Sequence, residues 1–409
     1  MNLEDYGVDM WSTEKIEDFR SKLLAWYDHN KRDLPWRHTK DPYAIWVSEI
    51  MSQQTRLDTV IPYYLRFLQW FPTIESLANA PQDKLLKAWE GLGYYSRVRN
   101  MQQAAQEMMD KFQGQFPQTY EEILSLKGIG PYTAGAVSSI AFDLPQPAVD
   151  GNLMRVISRL FEVEADIGDP ANRKIYQEIA EQLIDPKRPG DFNQALMDLG
   201  ADIESPKNPR PEESPVKEFS AAYLHGTMDK YPVKKPKKKP RAVRFQAFII
   251  QNEEGHYLLE KNIHSDLLSG FWHFPIMENY QPFDSQLDLF SANQEGHFGL
   301  VAENIGHDYP NQGIPLTSQF EKHYNLRPSW QEEISVAQIT HVFSHQKWYL
   351  DLTFGSIDSS DENLQLCTQV ADKEVRWVAK EDFDSYAFAK PQQKMWQSIQ
   401  QLEKNKKRQ

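Results

Sequence analysis

Hydrophobic and polar positions alternate with two different textures along this chain. In the first half, apolar residues recur at helical spacing. Ile16, Phe19, Leu23 and Trp26 share a face behind Ser12 and Thr13, both capping residues by type. Thr73 precedes the apolar stretch IESLANA, and Pro81 opens QDKLLKAW as a first-turn proline can. Runs of alternating β-branched residues are scarce there, so this half is expected to be all-helical. Later the texture becomes β-branched and aromatic, in RFQAFIIQ, HYLLEK, HVFSHQKWYLDLTFGSI and EVRWVAK, with turn residues such as Asn252 to Gly255 between them. EDFDSYAF and QQKMWQSIQQLEK close the chain with helical periodicity. A mixed sheet with flanking helices, an α/β second domain, is the expected outcome.

Charge sharpens the boundary between the two. Residues 1–230 and 245–409 each sum to −10, and VKKPKKKPRAVR between them carries +7. Prolines interleaved with lysines disfavour both helix and sheet, so residues 232–243 are expected to be an extended linker. Such a linker is either a solvated hinge or a strap that tracks phosphates. The expected layout is therefore a helical domain over 1–231, the basic linker, and an α/β domain over 244–409.

Composition mainly excludes. At 409 residues the chain is too long for one typical core. Its single cysteine, Cys367, rules out internal disulfides, zinc ribbons and cysteine-ligated iron-sulfur centres. The net charge of −13, taken alone, argues against a generally basic nucleic-acid binder. No apolar run approaches the ~18 residues of a membrane span, and the N-terminus lacks a signal-peptide core, so a cytoplasmic protein without membrane attachment is expected.

The densest chemical signal is LKGIGPYTAGAVSSIAF at 126–142. Gly128 and Gly130 allow a tight turn between helices, Pro131 suits a first helical position, and Ala134, Gly135 and Ala136 allow close backbone approach. Amides at such a turn form an anion site without any cationic side chain. Two acids flank this hairpin. Glu49, expected at a helix start after the loop DPYAIWV, lies among Ile45, Trp46, Val47 and Ile50, surroundings that raise a carboxyl pKa. Asp150, beside Gly151 and Asn152, is in a polar setting that would keep it ionised. Two carboxyls with split environments are equipment for cleaving a glycosidic bond; read singly, each is more often a surface acid or a helix cap.

LPWR at 34–37, IWVSEIMSQQT at 45–55, WEGLGYYSRVRN at 89–100, LKGIGPYTAGA at 126–136, PAVDGNLMRV at 147–156, FNQALMDLGA at 192–201, LLSGFWHFP at 267–275 and FSH at 343–345 occur in one order. In these stretches the chain resembles the MutY adenine DNA glycosylases of the helix-hairpin-helix superfamily, along nearly its whole length. The resemblance implies an all-α helix-hairpin-helix glycosylase domain followed by an α/β Nudix-like domain. It further implies base excision repair: adenine opposite 8-oxoguanine is flipped out of double-stranded DNA, protonated by Glu49, and released while Asp150 stabilises the sugar cation. Tyr132 and Asn152 would assist at the sugar and the second carboxylate; Trp36, Arg37 and Gln194 would contact the adenine. Gln54 and Tyr94 match residues that wedge into the base stack, Thr55 and Leu92 match neighbours of 8-oxoguanine, and Phe343, Ser344 and His345 match a loop that tests for the oxidised base. The hairpin at Gly128 and Gly130 would hold a DNA phosphate, a role compatible with a structural cation on its carbonyls.

Two departures qualify the resemblance. Most members hold an iron-sulfur cluster on four cysteines, and here that spacing falls on Glu204, Pro211, Ser214 and Ser220, so no cluster and no required cofactor is expected. Prolines and packing by Phe219 and Tyr223 are expected to hold that loop instead. A Nudix hydrolase needs a helix of clustered carboxylates, whereas YQPFDSQLDLF has acids at the wrong spacing, which argues against a nucleotide-pool hydrolase. Related glycosylases that cut the strand carry a Schiff-base lysine where this chain has Tyr132, so a glycosylase/lyase is disfavoured, and Lys127 is not assigned that role. A catalytically silent lesion binder is disfavoured by Glu49, Tyr132, Asp150 and Asn152 all being present. A monomer is expected, and the sequence names no protein partner.

Overall fold

Ser12 accepts from the Lys15 amide and starts α1 (Thr13–Asn30), whose Phe19 and Leu23 are fully buried. There follow α2 (Pro42–Ser52), α3 (Leu57–Trp70), α4 (Ile74–Ala78), α5 (Gln82–Trp89), α6 (Ser96–Phe112) and α7 (Tyr120–Ser125). Next come α8 (Pro131–Phe142), α9 (Gly151–Phe161), α10 (Arg173–Leu183), α11 (Pro189–Asp202) and α12 (Ala221–Leu224). The computed structural model describes residues 3–236, 240–263, 267–279, 314–331, 339–358, 369–370 and 373–406, and it divides into two units, Met1–Lys237 and Lys238–Gln409.

The first unit is helical throughout its described residues. Thr73 and Ser76 close a capping box on α4, and Pro81 directly precedes α5 without a side-chain capping bond. One core gathers Leu23, Leu153, Ile157, Ile179 and Leu196 from α1, α9, α10 and α11. DPYAIWV is not a loop: Asp41 accepts from the Tyr43 amide, Pro42 takes the first helical position, and Glu49 lies near the C-terminal end of α2 instead of its start.

The described residues of the second unit form nine strands: β1 (Arg241–Asn252), β2 (Tyr257–Lys261), β3 (Trp272–His273), β4 (Ile276–Glu278), β5 (Ser329–Trp330), β6 (Ile339–Val342), β7 (Gln346–Ile357), β8 (Gln369–Val370) and β9 (Lys373–Val378). Helix α13 (Leu316–Tyr324) precedes β5, and α14 (Lys390–Lys406) follows β9. The path β5-β7-β1-β2-β9-β8 mixes a parallel β1–β7 pair with antiparallel neighbours. Alternate residues of β1 serve two cores: Ala247 and Ile249 pack with Met395 and Ile399 of α14, while Phe248 and Ile250 pack with Phe320 and Tyr324 of α13. Burial on both faces explains why β1 reads as a continuous apolar run.

Three expectations change. Arg241 already pairs with Gln346, so residues 241–243 are strand where the linker was expected to continue. Of EDFDSYAF only a 3-10 turn forms, within Lys380–Ser385, because the Trp272 amide donates to the Ala387 carbonyl and Phe388 bridges to Trp272. HVFSHQKWYLDLTFGSI is two strands, with FSH as the turn between β6 and β7. Lys237 to Lys239, YQPFDSQLDLF and Cys367 lie outside the described residues.

Candidate active site

Helices α2, α8 and α9 bring the expected acids together. Tyr132, in the first turn of α8, donates its hydroxyl hydrogen to Glu49 Oε2 at 2.5 Å. Burial pushes the Glu49 carboxyl up to about 6; Asp150 nearby adds to the rise, while the Tyr132 hydrogen bond and the Arg37 charge hold it back. The Tyr132 phenol is driven well above its ordinary value, first by burial and then by the two acids, so it remains a donor. Asp150 caps α9, accepting from the Leu153 amide at 2.7 Å and from Asn152 Nδ2 at 2.9 Å. Its setting is therefore buried where a polar one was expected: burial raises its pKa, and hydrogen bonds from Leu153 and Asn152 with the Arg155 charge only oppose the rise.

Arg155 lies within PAVDGNLMRV, but residue types alone assign it no role. Its guanidinium donates to Asn152 Oδ1 at 2.7 Å, to Gly200 O at 2.5 Å and to Glu204 O at 2.7 Å, which fixes the Asn152 amide with its NH2 toward Asp150. Of the three residues assigned to adenine, Trp36 is buried against Tyr64. Arg37 donates to Asp198 at 2.8 Å, while its buried Nε has no partner among the described residues. Gln194 on α11 donates to Gly190 of its own helix.

The hairpin joins α7 to α8. Gly128 has φ +75°, and a Cβ there would lie 2.5 Å from Asn100 Cβ, so glycine is required twice over. Gly135 lets α8 meet the chain at Pro147, whose carbonyl oxygen would collide with any Cβ at that position. Gly130 is the N-cap of α8 and leaves the first amides of that helix for a ligand.

Gln54 and Tyr94 are neither helix surface nor core. Both are exposed, and both have left-handed backbones, with φ of 58° and 46°, unusual for residues with a Cβ. Thr55 is partly buried beside Gln54, and Leu92 is buried beside the second turn. A partly buried arginine, Arg97, reaches the carbonyls of both turns. In the second unit, Ser344 and His345 are exposed at the β6–β7 turn, whereas Phe343 folds back against Trp348, with ring centroids 4.9 Å apart.

Residues 47–184 match the HhH-GPD superfamily base excision DNA repair protein family, and residues 246–398 match the NUDIX domain. An adenine DNA glycosylase of Mus musculus is 31% identical across 93% of this chain and 78% of its own length. The chain belongs to the adenine DNA glycosylase family. Another adenine DNA glycosylase, from Buchnera aphidicola, is 35% identical over 81% of this chain and 90% of its own. A solved thermostable thymine-DNA glycosylase is 30% identical, with a TM-score of 0.47, over 52% of this chain and 98% of its own. As a family member this chain is a DNA glycosylase, a hydrolase of N-glycosyl bonds in base excision repair, built as a helix-hairpin-helix domain followed by a Nudix-like one. Among its described residues no helix is long and apolar enough to cross a membrane.

The iron-sulfur cluster of adenine DNA glycosylases does not fit this member. Glu204, Ser214 and Ser220 are buried and offer hard oxygens where the cluster needs thiolates, and Pro211 offers no ligand. Those oxygens are engaged elsewhere: Glu204 Oε2 accepts from Arg159 at 2.6 Å, Ser220 donates to the Arg159 carbonyl at 3.1 Å, and Ser214 accepts from the Val216 amide at 3.4 Å. Phe219 packs against Trp11 and Phe19 as expected, but Tyr223 is only partly buried and its hydroxyl goes to Glu212. The buried Arg159–Glu204 pair, which no motif announces, is the main polar tie. Among the described residues no cluster of three or more histidine, cysteine or acidic side chains could hold a metal ion.

Proposed function

We propose that this enzyme removes adenine paired with 8-oxoguanine in duplex DNA, by hydrolysis with retention and without efficient strand cleavage. The observation that carries the reading is the linked set of Glu49, Tyr132, Asp150 and Asn152. Tyr132 occupies one Glu49 oxygen, so the other holds the proton that passes to adenine N7. With a pKa of about 6, Glu49 is protonated in a useful fraction near neutrality and still returns to a base. Protonation draws electrons from the N9–C1′ bond; as it breaks, Asp150 faces the developing cation and forms a transient bond to C1′. Glu49, now ionised, takes a proton from water, and the water oxygen displaces Asp150. Carboxyl oxygens about 5 to 5.5 Å apart are expected in the substrate complex. The phenol of Tyr132 cannot form a Schiff base, which supports base removal alone.

Arg37 Nε, buried and unpartnered, supports a contact to adenine beside Trp36 and Gln194. Gln54 and Tyr94, with Thr55 and Leu92, are assigned to the base stack around 8-oxoguanine, Phe343, Ser344 and His345 to testing the oxidised base, and Gly128 and Gly130 to a phosphate. Single-turnover incubation of duplexes holding adenine opposite 8-oxoguanine or opposite thymine, with and without alkali, tests the reading. Breaks only after alkali, and only in the first duplex, are expected; breaks without alkali would revive a lyase. Glu49→Gln is expected to bind but not excise, and normal excision by that variant would remove the general-acid assignment.

A further inference from the structure

Six hydrogen bonds leave the side chain of Arg97, and all end on main-chain carbonyls. Nη1 donates to Ile50, Met51 and Gln53 at 2.7, 3.2 and 2.8 Å, closing the C-terminal end of α2. Nη2 donates to Leu92 and Gly93 at 3.2 and 3.0 Å, and Nε to Tyr94 at 3.4 Å. The guanidinium also lies over the Trp89 ring, 5.3 Å from its centroid. One planar fork thus joins two turns from separate helices, and the residues at their tips, Gln54 and Tyr94, have left-handed backbones. Such backbones persist only where surrounding structure dictates them, and here Arg97 supplies the shared constraint. Arg97 also lines a cavity of about 130 Å³ with Lys127 and Gly128 of the hairpin.

We propose that Arg97 is a positioning residue for lesion recognition. It binds the two turns into one rigid rim, so that Gln54 and Tyr94 enter the base stack together, at a fixed spacing, without ordering two separate loops on contact with DNA. The proposal rests on the assignment of Gln54 and Tyr94 to the base stack. Lysine is the informative replacement, because a single ammonium keeps the charge but cannot span both sets of carbonyls.

The experiment measures the ratio of affinities for a duplex with adenine opposite 8-oxoguanine and for an undamaged duplex, with the melting temperature of the free protein. Wild type, Arg97→Lys, the double variant Gln54→Ala/Tyr94→Ala and the triple variant are compared. Arg97→Lys is expected to lower the ratio about tenfold, the size of one lost stacking contact, and to melt within a few degrees of wild type. In the Gln54→Ala/Tyr94→Ala background the lysine is expected to add nothing, since Arg97 acts through those side chains. An additional loss in that background, a lysine variant that fails to fold, or one that folds with an unchanged ratio would each overturn the proposal. If Gln54→Ala/Tyr94→Ala itself keeps the full ratio, the base-stack assignment fails instead, and Arg97 is left without a recognition role.

Discussion

Arg159→Met is the sharpest test of how this enzyme holds the loop that relatives close with a cluster. Arg159 and Glu204 are each about 4–5% exposed, and Nη1 meets Oε2 at 2.6 Å. Removing the guanidinium strands a buried carboxylate, a change that costs about 3–5 kcal/mol. For a unit of this size, each kcal/mol lowers the melting temperature by about 2–4 °C, so a fall of about 10 °C is expected. Glu204→Gln leaves the Arg159 charge unpaired but is milder, because the amide oxygen and the main-chain carbonyls of residues 204 and 231 still accept from Arg159, about 1–2 kcal/mol. In Arg159→Met/Glu204→Met the two charges of the pair leave together and no carboxylate is stranded, so the double variant should be more stable than the Arg159 single variant. Calorimetry of the full chain, with amide hydrogen exchange of residues 204–220 to locate the opening, reads all three. Unchanged melting and unchanged exchange in Arg159→Met would refute the reasoning, as would a double variant no more stable than Arg159→Met. Prolonged incubation with a strong iron chelator should move neither quantity.

Burial of Glu49 predicts a pH-dependent penalty. Because its pKa rises from 4.5 to about 6, the favourable contribution of the protonated form is complete below about pH 4.5 and is lost as pH climbs through 6. Glu49→Gln should therefore gain about 2 kcal/mol on wild type between pH 4 and pH 7.5, seen by urea denaturation at each pH. Arg155→Met removes one opponent of the upward shift at Asp150, so the acid limb of the single-turnover profile should move to higher pH; an unshifted limb would separate Arg155 from Asp150. Gly128→Ala meets both the left-handed backbone and the Asn100 side chain, and a loss of about 1–3 kcal/mol is expected. If the hairpin amides hold a phosphate, that variant should also flatten the salt dependence of DNA binding by about one contact.

Much of this architecture is legible in the chain itself. Ser12, Thr73 and Pro81 mark helix starts by local chemistry alone, and the change from helical to β-branched texture marks where the sheet begins. The position of Glu49 within its helix is harder to read, because tryptophan, isoleucine and valine obscure the Asp41–Pro42 start signal. EDFDSYAF has helical spacing, yet pairing of Ala387 and Phe388 with Trp272 overrides it, a tertiary effect that no local pattern contains. The same limit applies to Arg97, Arg155 and Arg159. Each is an ordinary arginine on a helix, and each acquires its role from carbonyls and carboxylates brought to it only by folding. Gly128 is readable because a tight turn between two helices commonly needs a left-handed backbone, which glycine adopts without strain.

The hydrogen bonds around Asp150 have a direction, and that direction makes the residue hard to replace. Arg155 donates to the Asn152 oxygen, so the Asn152 nitrogen must donate onward, and the Leu153 amide occupies the other carboxylate oxygen. Position 150 is thus required to accept on both sides. Asparagine, the usual isosteric stand-in and a good helix cap elsewhere, would set its own NH2 against a donor. The start of α9 thus screens its own mutations: a change at the carboxylate proposed to face the sugar also disturbs the fold, so cellular quality control would remove many such copies.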